Sequence, residues 1–156
     1  MDIKIPQIYV LLVFDGLHML VPQHEVQSVE IIADVHITSM YTGAVGWFAH
    51  GHGQESPVYC LSEEMTLLLD LPKNREFFIL LKSSDTTTIG LACDEVETLH
   101  AKNDHLYLQD LPVVMKLPGS PISRLVRYQD KIGCICAGEV LRKYILNLSE
   151  TFVKGQ

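Results

Sequence analysis

The stretch GAVGWFAHGHGQESPVYCL, residues 43–61, gives a strong indication of the fold. Residues 45–49 form an apolar run that can pair as a strand. Gly51 and Gly53 can adopt positive φ where the backbone reverses, and residues 57–59 resume an extended run. A proline at the first residue of a strand removes no ladder bond that the strand needs. The stretch therefore predicts a strand, a glycine turn and a second strand.

The residues that follow favour a short helix. Ser62 can accept a hydrogen bond from a free amide of the next turn. Glu63 and Glu64 lie where the positive end of a helix dipole favours carboxylates. We therefore expect a short central helix over residues 63–69.

Apolar runs on both sides of this stretch predict further strands. Asp15-Gly16 separates the runs 9–14 and 17–21, which is the pattern of a hairpin with a two-residue turn. Residues 77–81 are continuously apolar and too short for most helices, so we expect a strand buried on both faces. Residues 94–99 alternate polar and apolar, which predicts a strand with one solvated face.

The last third of the chain combines a loop, a hairpin and a helix. Residues 100–121 contain three prolines, which predict an extended loop. Residues 122–128 and 131–137 flank Gln129-Asp130 and predict a hairpin. Apolar residues then recur at helical spacing and predict an amphipathic helix docked on the body. These positions are Val140, Leu141, Tyr144, Ile145 and Leu148.

Composition limits the possible functions. The 156 residues suffice for one compact domain over residues 1–156, and 47% apolar with 20% charged residues is typical of a globular protein. The net charge is −7 and the Lys and Arg residues are scattered, so we expect no nucleic-acid partner. The sequence contains neither a signal peptide nor a membrane span, which indicates the cytoplasm and no direct membrane insertion.

The candidates for chemistry are few. Four cysteines lie in apolar runs, where they behave as small hydrophobic residues, and apolar neighbours should raise a thiol pKa. Asp94, Glu95 and Glu97 form an acidic edge, which is more typical of a solvated strand face than of a binding site. Trp47 and Phe48 fit an interface anchor as well as ordinary core. The four cysteines are Cys60, Cys93, Cys134 and Cys136.

Taken in order, these segments resemble the CheW-like domain of bacterial chemosensory systems. The resemblance covers nearly the whole chain, including the hairpin 9–21, residues 25–31 and the closing hairpin with its helix. Its most specific parts are residues 53–61, similar to the family's R-G-x-x-x-P-V-x-D-L, and residues 90–96, similar to its G-L-x-V-D-x-V.

The resemblance implies a mainly β fold of two small five-stranded SH3-like β-barrels that share a core. It also implies a function. Members of the family bind the regulatory domain of CheA-type histidine kinases and the cytoplasmic tips of chemoreceptors, and they perform no chemistry. We therefore expect a non-enzymatic adaptor without a cofactor, with partner binding at Trp47, His50, His52, Gly53 and Glu30.

Two departures from the family pattern mark a divergent member. His52 stands where the family usually has arginine, and an imidazole cannot reproduce a permanently charged guanidinium with five donors. Cys60 stands where aspartate is common. These departures favour a pilus-linked or other non-flagellar chemosensory pathway. The alternative is a small metal-binding or regulatory β-domain that uses His50 and His52, since imidazole is a common metal ligand.

Overall fold

The computed structural model describes residues 7–37, 41–84 and 88–154, with the side chains of His52 and of residues 152–154 left out. Within these residues the chain is mainly β, as the sequence predicts, and ends in one α-helix. The strands are β1 (Ile8–Phe14), β2 (Leu17–Pro22), β3 (Val26–Ile31), β4 (Gly46–Ala49), β5 (Glu55–Leu61), β6 (Leu67–Leu68), β7 (Phe77–Leu81), β8 (Ile89–Cys93), β9 (Glu95–His100), β10 (Tyr107–Asp110), β11 (Ile122–Tyr128) and β12 (Lys131–Cys136). The helix is α1 (Gly138–Lys154).

The strands form two sheets. The terminal sheet has the order β10-β11-β12-β2-β1-β9, and the middle sheet has the order β3-β7-β8-β5-β4, with β6 also paired to β5. The chain begins in the terminal sheet, builds the whole middle sheet, and returns to complete the terminal sheet. An antiparallel bridge between His36 and Trp47 joins the two edges of the middle sheet, because residues 32–36 continue from β3 and Trp47 belongs to β4.

Two tight hairpins confirm the turn predictions. Asp15 (φ 50°) and Gly16 (φ 82°) connect β1 to β2. Gln129 (φ 48°) and Asp130 (φ 60°) connect β11 to β12. Positive φ at both central residues matches the right-handed twist of the flanking strands, so these two-residue turns set the strand register.

Three apolar clusters explain why several strands are buried on both faces. A shared cluster lies between the sheets and includes Phe14 and Met19 from one sheet and Leu91 from the other. Each sheet also has its own cluster on its other face. Along β7, Ile79 and Leu81 enter the shared cluster while Phe78 and Leu80 enter the cluster of the middle sheet. The continuous apolar run of residues 77–81 is therefore a strand buried on both faces, as predicted.

The predicted central helix over residues 63–69 is wrong. Ser62 Oγ accepts hydrogen bonds from the amides of Glu64 and Thr66, and Met65 adopts a left-handed φ of 64°. The segment turns back at once, and β6 pairs with the end of β5. The hydrogen bonds expected to cap a helix at Ser62 therefore close a tight turn instead. A helix this short would form too few hydrogen bonds to offset the free-energy cost of nucleating it.

The extended loop predicted for residues 100–121 is also partly wrong. β10 pairs with β11 at Tyr107↔Arg127, and a 3-10 turn follows at Val113–Met115. The three prolines all come after β10, so none of them removes a donor from its ladder.

The closing helix is docked as predicted, with one exception. Leu141 and Ile145 are fully buried in the shared cluster, and Tyr144 Oη donates a hydrogen bond to the Met65 carbonyl oxygen at 2.6 Å. The Glu25 carboxylate accepts a hydrogen bond from the Gly138 amide, at the end of the helix that favours negative charge. Val140 is 47% exposed and lies outside the buried stripe. Among the described residues, no helix is both long enough and apolar enough to cross a membrane.

Candidate functional site

The β4–β5 hairpin carries most of the predicted partner-binding residues. The Trp47 ring stacks on the His36 ring, with centroids 4.2 Å apart, and its indole Nε1 has no hydrogen-bond partner among the described residues. Phe48 packs edge-on against Phe78, with centroids 5.2 Å apart, so it belongs to the core of the middle sheet. His50 Nε2 lies 2.6 Å from Ser56 Oγ, which ties the imidazole back to β5.

The glycine turn between these strands is short and exposed. It is a 3-10 turn over Gly51–Gly53, and Gly53 has the positive φ (78°) that glycine allows. The side chain of His52 lies outside the described residues, so its contacts stay a prediction. Glu30 lies on β3, opposite Phe78, at the other edge of the middle sheet from the hairpin.

A groove of about 280 Å³ lies where the two sheets meet, and the sequence did not reveal it. Its lining comes from β1, β7 and β9. We name it the inter-sheet groove; its lining residues are Leu11, Val13, Phe77, Glu95, Val96 and Glu97. The glutamates on its rim are exposed, which agrees with the solvated strand face predicted for them.

An exposed apolar strip continues the groove along β3. Ile31 pairs with Phe77, and Val29 pairs with Ile79, so all four side chains project from one face of the middle sheet. Ile79 is buried in the shared cluster, whereas Ile31 is 52% exposed. The apolar face of the middle sheet therefore extends beyond the part that the terminal sheet covers. Contiguous exposed apolar surface of this kind marks interaction sites.

A buried arginine lies two residues before the groove residue Phe77. The Arg75 side chain is 0% exposed and binds Asp15 and Asp94. Its Nη1 lies 3.0 Å from Asp15 Oδ1 and 2.8 Å from Asp94 Oδ1, and its Nη2 lies 3.0 Å from Asp15 Oδ2 and 2.9 Å from the Leu61 carbonyl oxygen. Asp94 therefore departs from the acidic edge predicted for residues 94–97, because its carboxylate turns inward.

The electrostatics of this cluster favour the charged forms. Burial alone would lower the pKa of Arg75, but the hydrogen bonds to Asp15 and Asp94 raise that pKa above its ordinary value. The hydrogen bonds from Arg75 hold the pKa of the Asp15 carboxyl below 3.8. The cluster is therefore a permanent ion pair network near neutral pH.

A second exposed apolar surface lies on the loop between β10 and β11. Val113 and Val114 are 83% and 82% exposed, and Leu117 is 66% exposed. Backbone hydrogen bonds from Met115 to Pro112 and from Lys116 to Val113 hold the loop in shape. We call residues 113–117 the apolar turn. It borders a groove of about 330 Å³ that Met65, Ile122 and Tyr144 help to line.

No protein-family model matches the chain, and no curated protein matches it. The crystal structure of the scaffolding protein TtCheW from Thermoanaerobacter tengcongensis matches with a TM-score of 0.64, over 88% of this chain and 92% of that one, at 19% sequence identity. The chain has a CheW fold. At this identity the likeness concerns the fold, and it confirms the fold that the sequence resemblance implied.

Within this CheW fold, Cys60 lies beside the arginine cluster. Burial raises the pKa of the Cys60 thiol to about 12, although the neighbouring Arg75 charge acts in the opposite direction. The carboxylates that bind Arg75 come from the β1–β2 turn and from the start of β9, not from β5. Arg75 therefore keeps two carboxylate partners although Cys60 is not one of them, and its Nε has no hydrogen-bond partner among the described residues.

The cysteines are all buried, as predicted. Burial raises the pKa of Cys93 to about 12. In β12, a hydrogen bond between the two thiols raises the pKa of Cys136 and lowers that of Cys134. The expectation that apolar neighbours raise every thiol pKa is therefore wrong for Cys134, because the Cys136 thiol can donate to its thiolate. Among the described residues, no three His, Cys, Asp or Glu side chains converge as metal ligands would.

Proposed function

We propose that this chain is a non-enzymatic adaptor that couples the cytoplasmic tip of a chemoreceptor to the regulatory domain of a CheA-type histidine kinase. The observation that carries the proposal is that a CheW fold presents two separate exposed apolar surfaces, the inter-sheet groove and the apolar turn. An adaptor needs one surface for each partner. The scaffolding role named for TtCheW supports this reading.

The shapes of the two surfaces suggest which partner each one binds. The inter-sheet groove is concave, apolar at Phe77 and Val96, and acidic at Glu95 and Glu97, so it fits an amphipathic helix such as those of a receptor tip. The apolar turn is convex and held in shape, so it fits a pocket on a globular domain such as that of the kinase.

The residues predicted from the sequence extend this proposal. Glu30 lies between Val29 and Ile31 but pairs with Phe78, so its side chain projects from the opposite face of the middle sheet, where we propose a contact separate from the groove. Trp47, His50, His52 and Gly53 form the β4–β5 hairpin, which we propose as an additional contact surface. The departures at His52 and Cys60 favour a pilus-linked or other non-flagellar array in the cytoplasm. The hydrogen bond between His50 and Ser56 counts against the metal-binding alternative.

The test measures binding to each partner separately. The probes are soluble helical tips of the chemoreceptors, and regulatory domains of the histidine kinases, encoded in the same genome as this chain. Ile31→Glu should weaken receptor-tip binding at least about tenfold, or about 1.4 kcal/mol, and leave kinase binding unchanged. Val114→Glu should have the opposite effect, because it alters only the apolar turn.

Ile132→Glu is the matched control, because Ile132 is an apolar residue whose exposure lies between those of Ile31 and Val114 and which lines neither surface. It should change neither affinity. The proposal fails if the wild-type chain binds neither probe at high micromolar concentrations in calorimetry. The assignment of surfaces fails if each glutamate variant weakens both interactions equally.

A further inference from the structure

The members of the arginine cluster lie at the ends of the segments that line the inter-sheet groove. Asp15 follows the groove residue Val13 by two positions, and Arg75 precedes Phe77 by two. Asp94 directly precedes Glu95. The three wall segments, from β1, β7 and β9, therefore meet at one ionic centre.

The contacts of this centre cross between the two sheets. Asp15 belongs to the β1–β2 turn of the terminal sheet, whereas Arg75 leads into β7 of the middle sheet. Asp94 lies where the chain passes from β8 to β9, that is, from the middle sheet to the terminal sheet.

Three backbone amides complete the junction. The Asp94 amide donates to the Val13 carbonyl oxygen at 2.7 Å, and the Glu76 amide donates to the Cys93 carbonyl oxygen at 3.0 Å. The Asp15 amide donates to Asp94 Oδ2 at 3.0 Å. The wall segments are thus joined by directional bonds at this point.

Directional bonds of this kind can fix a geometry that apolar packing leaves adjustable. The shared cluster holds the sheets together, but apolar contacts are non-directional. A planar guanidinium that makes four hydrogen bonds to three segments has one arrangement. Buried ion pairs add little net stability compared with apolar residues of the same size, so geometry is a better reason for this cluster than stability.

We propose that Arg75 is a positioning residue that sets the spacing of the walls of the inter-sheet groove, and thereby its fit to a helical partner. The part concerning the partner rests on the proposed function. The part concerning the walls does not, because it follows from the contacts of Arg75 alone.

Site-resolved hydrogen exchange tests the walls without any partner. Arg75→Lys keeps the charge but loses the planar fork, so the amides of Asp15, Glu76 and Asp94 should exchange at least about tenfold faster. Arg142→Lys is the matched control, because Arg142 is also buried and also paired with a carboxylate, that of Glu139, but belongs to α1. In this variant the three amides should keep their protection.

Two results would overturn the proposal. Unchanged protection of the three amides in Arg75→Lys would show that the walls do not depend on the arginine. A parallel rise in exchange across the whole chain would show a merely structural role. If Arg75→Lys does not fold, Asp15→Asn keeps the side-chain shape, weakens the paired contact with Arg75 without removing an acceptor of the three amides, and should accelerate the same amides to a smaller degree.

Measurements of partner binding separate this proposal from the proposed function. Arg75→Lys should weaken binding of a receptor tip at least about tenfold, mainly through faster dissociation, while binding of a kinase regulatory domain stays unchanged. Unchanged receptor-tip affinity would refute the link between wall spacing and partner fit. If the wild-type chain binds no receptor tip, the proposed function fails, and the exchange experiment still decides the role of Arg75.

Discussion

At the scale of single residues, Asp15 has two roles that depend on different atoms. Its backbone adopts the left-handed φ of 50° that the β1–β2 turn needs, and its carboxylate binds Arg75. Asparagine also tolerates the left-handed conformation, so Asp15→Asn keeps the backbone role. It removes the negative charge that binds Arg75. The substitution therefore isolates the ionic contact.

This contact should make stability depend on acidity in one pH range. In the folded chain the pKa of Asp15 is lowered from 3.8, the value expected in the unfolded chain. At a pH between these two pKa values, the unfolded chain therefore binds more protons than the folded chain. The stability that this carboxylate contributes is fully present above its pKa in the unfolded chain. It is lost as the pH falls through its pKa in the folded chain. The gap in the free energy of unfolding between wild type and Asp15→Asn should be constant near neutrality and shrink below about pH 4.

Urea unfolding at a series of pH values measures this gap. Asp130→Asn is the control, because Asp130 occupies the corresponding turn of the β11–β12 hairpin with a positive φ of 60° and is exposed. The interpretation would be wrong if the gap for Asp15→Asn did not change with pH. Because the Asp15 side chain is 34% exposed, solvent screening keeps the whole effect modest.

At the scale of elements, local signals in the sequence were sufficient where one short motif decides the structure. Asp15-Gly16 and Gln129-Asp130 define their hairpins because the turn residues themselves carry the positive φ values. The 62–66 turn was mistaken for a helix start because a serine side chain makes similar hydrogen bonds in both. β10 was missed because its pairing with β11 depends on residues about twenty positions away.

The candidate site was harder to predict for the same reason. Arg75 meets Asp15 across 60 residues and Asp94 across 19, and no spacing rule links them. The inter-sheet groove forms only when three strands from two sheets converge. The hairpin with Trp47 and His50 was found because its residues are close in sequence.

The closing helix provides the prediction at this scale. Ile145 is fully buried in the shared cluster, so Ile145→Asp removes an aliphatic side chain, at a cost of about 2–5 kcal/mol, and adds the desolvation of a carboxylate. Val140→Asp is the matched control on the same helix, because Val140 is exposed, and it should cost less than about 1 kcal/mol. Equal costs in urea unfolding would show that α1 is not docked through Ile145.

At the scale of the whole molecule, the path of the chain links the two sheets. The terminal sheet is built from both ends of the described chain, and the shared cluster takes side chains from both sheets and from α1. Neither sheet can lose its packing without exposing the apolar face of the other. We therefore expect one cooperative unfolding transition, with the two sheets opening together.

The four cysteines can test this cooperativity, because they report on different clusters. Cys60 lies in the cluster of the middle sheet, whereas Cys93, Cys134 and Cys136 lie in the shared cluster. In the folded protein all four should react with a thiol reagent slowly and at one common rate, set by global opening, and all four should react rapidly in urea. Cys134 and Cys136 both lie on β12, so they would react first if the terminal sheet opened alone. Mass spectrometry of peptides after timed labelling resolves the four rates, and Ile145→Asp should raise all of them together. Faster labelling of Cys134 and Cys136 than of Cys60 would mean that the two sheets open separately.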